Sequence, residues 1–220
     1  MLPRTKIVIA CIVILIALIV ADQWRKRSVD DRDMSSTTTP QGSTATPVEA
    51  AADEWKEFVP QTNKFKVMLP ALPQHAAEAV PLPAGQGMIK YDMYLSQEKD
   101  GTTYMISLIQ YPDAFNTSNP SELLDGVMKE MMSGSSNNKL ISSKKENYQG
   151  FDALDFAIQN SDWSIRCITF LAGKTLFVLT LIDRTPEGID EAFKKFINSF
   201  KLDQSYTMDQ MQQMPVPANQ

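Results

Sequence analysis

Residues 7–21 form an apolar run, Ile7 to Ala21, with no charge, no glycine and no proline, built mostly of Ile, Val and Leu. Such a run cannot sit in water as an isolated helix, so it divides the chain. At 1.5 Å per residue, about 15 helical residues cover about 22 Å. A bilayer core is about 30 Å thick and takes about 17–25 apolar residues. The run therefore fits a short span or the apolar core of a secretory signal. Ile19-Val20-Ala21 is a poor cleavage site, because Ile19 stands where a small residue belongs. Cys11 after Ala10 matches a lipoprotein pattern, yet the run continues well past it, and a lipid-facing cysteine is the reading taken. The sequence predicts an uncleaved transmembrane anchor at 7–21 behind a short basic N-terminus, 1–6. Basic residues flank it on both sides: Arg4 and Lys6 before, Arg25, Lys26, Arg27 and Arg32 after. Counting them places the downstream chain in the cytoplasm. An N-terminal anchor followed by an exported-looking stalk argues the reverse, and the expectation taken is an extracytoplasmic, periplasmic-side domain.

From residue 22 to 54 apolar periodicity is nearly absent, and Ser35 to Pro47 is rich in Ser, Thr and Pro. A segment of this composition cannot bury enough surface to offset its ordering entropy. It reads as a flexible stalk of about 33 residues, averaging about 30 Å end to end as a coil. Residues 203–220 read as a disordered tail. Met208, Met211 and Met214 recur in it at intervals that suit soft metal ligation, but no His or Cys reinforces them, and no metal site is assigned.

Between these lies a segment from Trp55 to Leu202, the size of one domain. Phe65, Val67 and Leu69 alternate with Lys66 and Met68. Ile89, Tyr91, Met93 and Leu95 share one face of a strand that pairs with Tyr104–Gln110 across Asp100-Gly101. The period then changes. Leu123, Leu124, Val127, Met128, Met131 and Met132 make a helical stripe between Pro120 and Gly134. Four strands follow, at 139–148, 151–159, 163–171 and 174–182, separated by turns too short for anything but antiparallel neighbours. A second helix runs from Pro186, with Ile189, Phe193, Phe196, Ile197 and Phe200 at helical intervals. The expected fold class is α+β: an antiparallel β-sheet with packed helices, preceded by a transmembrane helix.

The series Phe65-Lys66-Val67-Met68-Leu69-Pro70, Phe151 to Phe156, and Arg166 to Ile182 leading into Phe193 to Phe200 resembles the PsbP/Mog1 superfamily. Domains of that kind open on F-x-V-x-x-P and close on F-x-x-S-F, matched here by Phe196-Ile197-Asn198-Ser199-Phe200. The resemblance spans about Phe58 to Leu202 and implies a non-enzymatic adaptor or assembly role. It carries no catalytic or partner-binding residue across.

Chemistry is scarce. The single histidine, His75, falls in a Pro/Ala-rich stretch that reads as a solvated loop. Any Ser-His-Asp or Cys-His scheme would need it. Cys167, mid-strand, reads as a small buried residue. Asp152, Asp155, Asp162 and Asp183 would form a hard-cation site only if strand ends gathered them. Ala84-Gly85-Gln86-Gly87 precedes a strand, which is the wrong context for a phosphate loop. The whole chain carries −5 and 55–202 holds 15 basic against 17 acidic residues, so no basic face for nucleic acid is present. Lys144 and Lys145 read as guards of a sheet edge. No catalytic, cofactor or metal residue is assigned, and no cofactor is expected. The partners expected are the membrane through 7–21 and a protein. The function expected is a membrane-anchored, non-catalytic protein-binding or assembly-factor domain at the cell envelope. The alternatives are a metal-dependent hydrolase using those aspartates, or a lipid or small-ligand carrier suggested by the Met-rich helix.

Overall fold

The computed structural model describes residues 54–82 and 86–206. The anchor at 7–21, the stalk short of Glu54, Cys11 and the methionines of the tail lie outside the described residues. Among the described residues no helix is long and apolar enough to cross a membrane.

Among the described residues ten strands and two helices follow in order: β1 (Lys56–Phe58), β2 (Phe65–Leu69), β3 (Gln74–Pro81), β4 (Met88–Gln97), β5 (Thr103–Gln110), α1 (Pro120–Ser133), β6 (Lys139–Tyr148), β7 (Phe151–Gln159), β8 (Ser164–Ala172), β9 (Thr175–Asp183), α2 (Ile189–Ser199) and β10 (Lys201–Leu202). Seven strands form one sheet in the order β3-β4-β5-β9-β8-β7-β6, every pair antiparallel. The other three form a small antiparallel sheet, β1-β2-β10. The domain is α+β, as its period-two runs and two helical stripes predict.

Alternation decides what each face of the large sheet carries. Tyr104, Ile106, Leu108, Ile168, Phe170, Phe177, Leu179 and Leu181 point to one face and cluster with Phe193, Phe196 and Phe200 from α2 and its end. Phe65, Val67 and Leu69 of the small sheet join that core. Leu154, Phe156, Ile158, Cys167 and Val178 alternate with them and are buried on the opposite face. There α1 packs on β7 and β8 and buries Leu123, Leu124, Val127 and Met131. Central β9 is thus covered on both sides, which is why its sequence is almost continuously apolar.

Helix starts are set locally. α1 opens on Pro120, whose missing N–H costs nothing in a first turn, with Glu122 favourable to the dipole. α2 begins at Ile189 rather than Pro186, because Gly188 occupies the left-handed region at φ 81°. A Cβ there would meet nothing within 4 Å, so backbone conformation alone calls for glycine.

Three strands escape the sequence pattern. β1 and β10 are short. β3, by contrast, has eight residues and includes His75, so the reading of this stretch as a loop is corrected. Its residues are exposed on both faces, apart from a half-buried Val80, so no alternation marks it.

Candidate functional site: an unguarded sheet edge

The two outer strands of the large sheet are β3 and β6, and they differ in chemistry. An edge strand presents unpaired backbone N–H and C=O groups, a template for another strand. β6 is blunted: it has a bulge between Leu140 and Ser142, and Lys139, Lys144, Lys145 and Glu146 line its length. Lys144 pairs with Glu146 at 3.1 Å, and Lys145 donates to Ser121 Oγ at 3.0 Å. The sequence reading of Lys144 and Lys145 as edge guards agrees with this placement.

β3 has no bulge and no lysine. It pairs with β4 without interruption, from Gln74 opposite Leu95 to Pro81 opposite Met88. Ala76, Ala77 and Ala79 are small and exposed, and only His75 and Glu78 are ionisable. Among the described residues β3 has no neighbour on its outer side. The footing beneath it is firm. The His75 ring stacks on Tyr94, centroids 4.4 Å apart and 9° from parallel. His75 Nε2 lies 3.0 Å from Asp92 Oδ1. Tyr94 packs in turn on Phe58 and Phe65. Burial, then the Asp92 charge, push the Tyr94 phenol above its ordinary range, so it stays a neutral donor.

The residues of the enzymatic alternatives are scattered. Cys167 is fully buried, and burial pushes its thiol up to about 12. Thr180 Oγ1 donates to its sulfur at 3.6 Å. Cys167 and His75 sit on opposite faces, with β4, β5 and β9 between their strands. Asp152 and Asp155 project to opposite faces of β7. Asp162 lies in the β7–β8 turn, and Asp183 accepts from Thr102 Oγ1 at 3.0 Å and from the Thr185 N–H at 2.9 Å. Among the described residues no three His, Cys, Asp or Glu side chains are grouped to hold a metal.

Asp155 is committed to Arg166, which also holds Asp190. Arg166 Nη2 donates to both Asp155 oxygens, at 3.0 and 3.2 Å, and Nη1 donates to Asp190 on α2. The guanidinium also lies 5.1 Å from the Phe193 ring centroid. This cluster ties α2 to the sheet. Sequence reasoning missed it because its parts come from β7, β8 and α2.

No family model matches the chain, and no curated protein matches it. Among solved structures it is similar to CyanoP, the cyanobacterial PsbP of Synechocystis sp. PCC 6803, at 11% identity and a TM-score of 0.46, over 74% of this chain and 100% of that one. It is also similar to a Pseudomonas aeruginosa protein of unknown function, at 13% identity and a TM-score of 0.29, over 76% of this chain and 99% of that one. No residue role passes from either structure to this chain.

Proposed function

We propose that this chain is a membrane-tethered, non-catalytic module that docks an extended segment of a protein partner along β3, in an assembly role on the periplasmic side of the envelope. The observation that carries this reading is the unguarded edge: eight residues, about 27 Å of strand, beside a sheet whose other edge is bulged and charged. Strand addition draws affinity from main-chain hydrogen bonds and leaves specificity to alternate side chains. On β3 those are His75, Ala77 and Ala79 on one face and Gln74, Ala76, Glu78 and Val80 on the other. The dispersal of Asp152, Asp155, Asp162 and Asp183 favours docking over metal-dependent hydrolysis.

The test is site-specific photocrosslinking in cells producing the full chain, with the reactive side chain at Glu78 or, for comparison, at Lys145. The expected result is a discrete adduct from position 78 and none from 145. Equal adducts from both positions, or none from either, would overturn the reading. Reporter fusions after Leu202 check the side of the membrane; a signal confined to the cytoplasm would move the partner search there.

A further inference from the structure

At the end of the sheet that carries the β8–β9 turn, four segments distant in sequence converge. They are the loop before β2, the end of β5, the turn itself and the residues after β10, and they border an open cleft of about 500 Å³. That volume is within the range of small-molecule sites. The backbone fixes the walls: the Asp203 N–H donates to the Lys64 carbonyl at 3.0 Å, and the Tyr111 N–H donates to the Lys174 carbonyl at 2.9 Å.

Lys64 and Lys174 are both among the lining residues, and their ammonium groups donate to neutral acceptors. Lys64 Nζ donates to Gln110 Oε1 at 3.2 Å. Lys174 Nζ donates to the Phe115 carbonyl at 2.8 Å and to the Asp113 carbonyl at 3.4 Å. Those bonds orient the lysines without neutralising them, and an ammonium has three donors. One carboxylate, Asp203, shares the lining. Hydrogen bonds from Ser205 hold it below the usual carboxylate range, so it is charged at neutral pH.

We propose that this cleft binds a small phosphate- or carboxylate-bearing solute that also carries a hydroxyl or amine. The oxyanion takes the remaining donors of Lys64 and Lys174, and the hydroxyl or amine donates to Asp203. This site is independent of the docking edge, since none of its lining residues belongs to β3.

The test is amide NMR on the full chain in detergent micelles, with inorganic phosphate and sn-glycerol 3-phosphate as probes. Phosphate is expected to give saturable shifts centred on Asn63, Lys64, Gly173 and Lys174. Lys64→Gln should weaken it about tenfold, equivalent to about 1.4 kcal/mol, while Lys194→Gln on α2 leaves it unchanged. Asp203→Asn should tighten inorganic phosphate by removing a like charge. The same variant should abolish the advantage of glycerol 3-phosphate over phosphate. Non-saturable shifts, or equal weakening by Lys64→Gln and Lys194→Gln, would overturn the proposal. If Lys64→Gln unfolds the chain, the exposed Asp203→Asn variant decides: failure to tighten phosphate overturns it.

Discussion

Arg166 on β8 grips Asp155 on β7 with two hydrogen bonds from one nitrogen, at 3.0 and 3.2 Å, yet the Asp155 carboxyl remains above its ordinary pKa. Burial outweighs the attraction of the guanidinium. Both side chains are only about one-fifth exposed, Arg166 at 20% and Asp155 at 19%. A largely covered pair of this kind is costly to break on one side and cheap to replace as a whole. Arg166→Met should therefore destabilise the domain by about 3 kcal/mol, and adding Asp155→Leu should recover most of that loss. Urea unfolding midpoints of the two variants measure it. A double variant no more stable than Arg166→Met would refute the argument.

The same carboxyl sets a pH dependence. Its folded pKa lies above its unfolded value, so between the two the folded chain holds a proton that the unfolded chain has released. Stability from this group is present at low pH and falls as pH rises from about 4 through the folded pKa. Asp155→Asn abolishes that slope while adding a constant offset from the altered contact with Arg166. Unfolding midpoints at pH 4 and pH 7 are expected to show wild type losing ground to the variant across the interval. Parallel behaviour would place the titration elsewhere.

Three phenylalanine rings meet where β8, β9 and the end of α2 come together. Phe170 stacks on Phe177 with centroids 5.1 Å apart and meets Phe200 edge-on at 6.2 Å. All three rings are completely buried. Phe170→Ala is expected to cost about 3–5 kcal/mol, transfer and cavity together. Phe170→Leu is expected to cost less, because more of the volume stays filled. Comparison of their unfolding midpoints checks the order.

Elements with a buried face were legible in the sequence. β7 occupies 151–159 as its pattern predicts, and α1 spans Pro120–Ser133; β6, exposed along most of its length, was legible instead through the short Gln149-Gly150 turn that joins it to β7. Ile89, Met93 and Leu95 announce themselves because one side of β4 is buried. β3 was illegible for the converse reason: a strand exposed on both faces has no period to read. Gln149-Gly150 reads as a turn, and both residues have positive φ. Nothing local shows that the Gln149 amide also clamps the segment that joins α2 to β10. It donates to the Phe200 carbonyl at 2.9 Å and accepts from the Leu202 N–H at 3.1 Å. The cleft beside the β8–β9 turn was hidden likewise, since Lys64, Lys174 and Asp203 come to one place only once the sheet is assembled.

The docking edge can be probed through the alternation of backbone groups along β3. In an antiparallel pair, successive residues direct their N–H groups alternately toward the neighbour and away from it. Of Ala76 and Ala77, one therefore donates to β4 and the other faces the open side. Proline removes the donor in either case. At the inward residue Ala→Pro breaks a ladder bond and is expected to cost about 1–3 kcal/mol. At the outward residue, where edge strands tolerate proline, stability should change little, while the adduct from position 78 disappears. Measuring thermal unfolding and crosslinking for both variants separates the two effects. If the variant that keeps full stability also keeps its adduct, the partner does not pair with the β3 backbone.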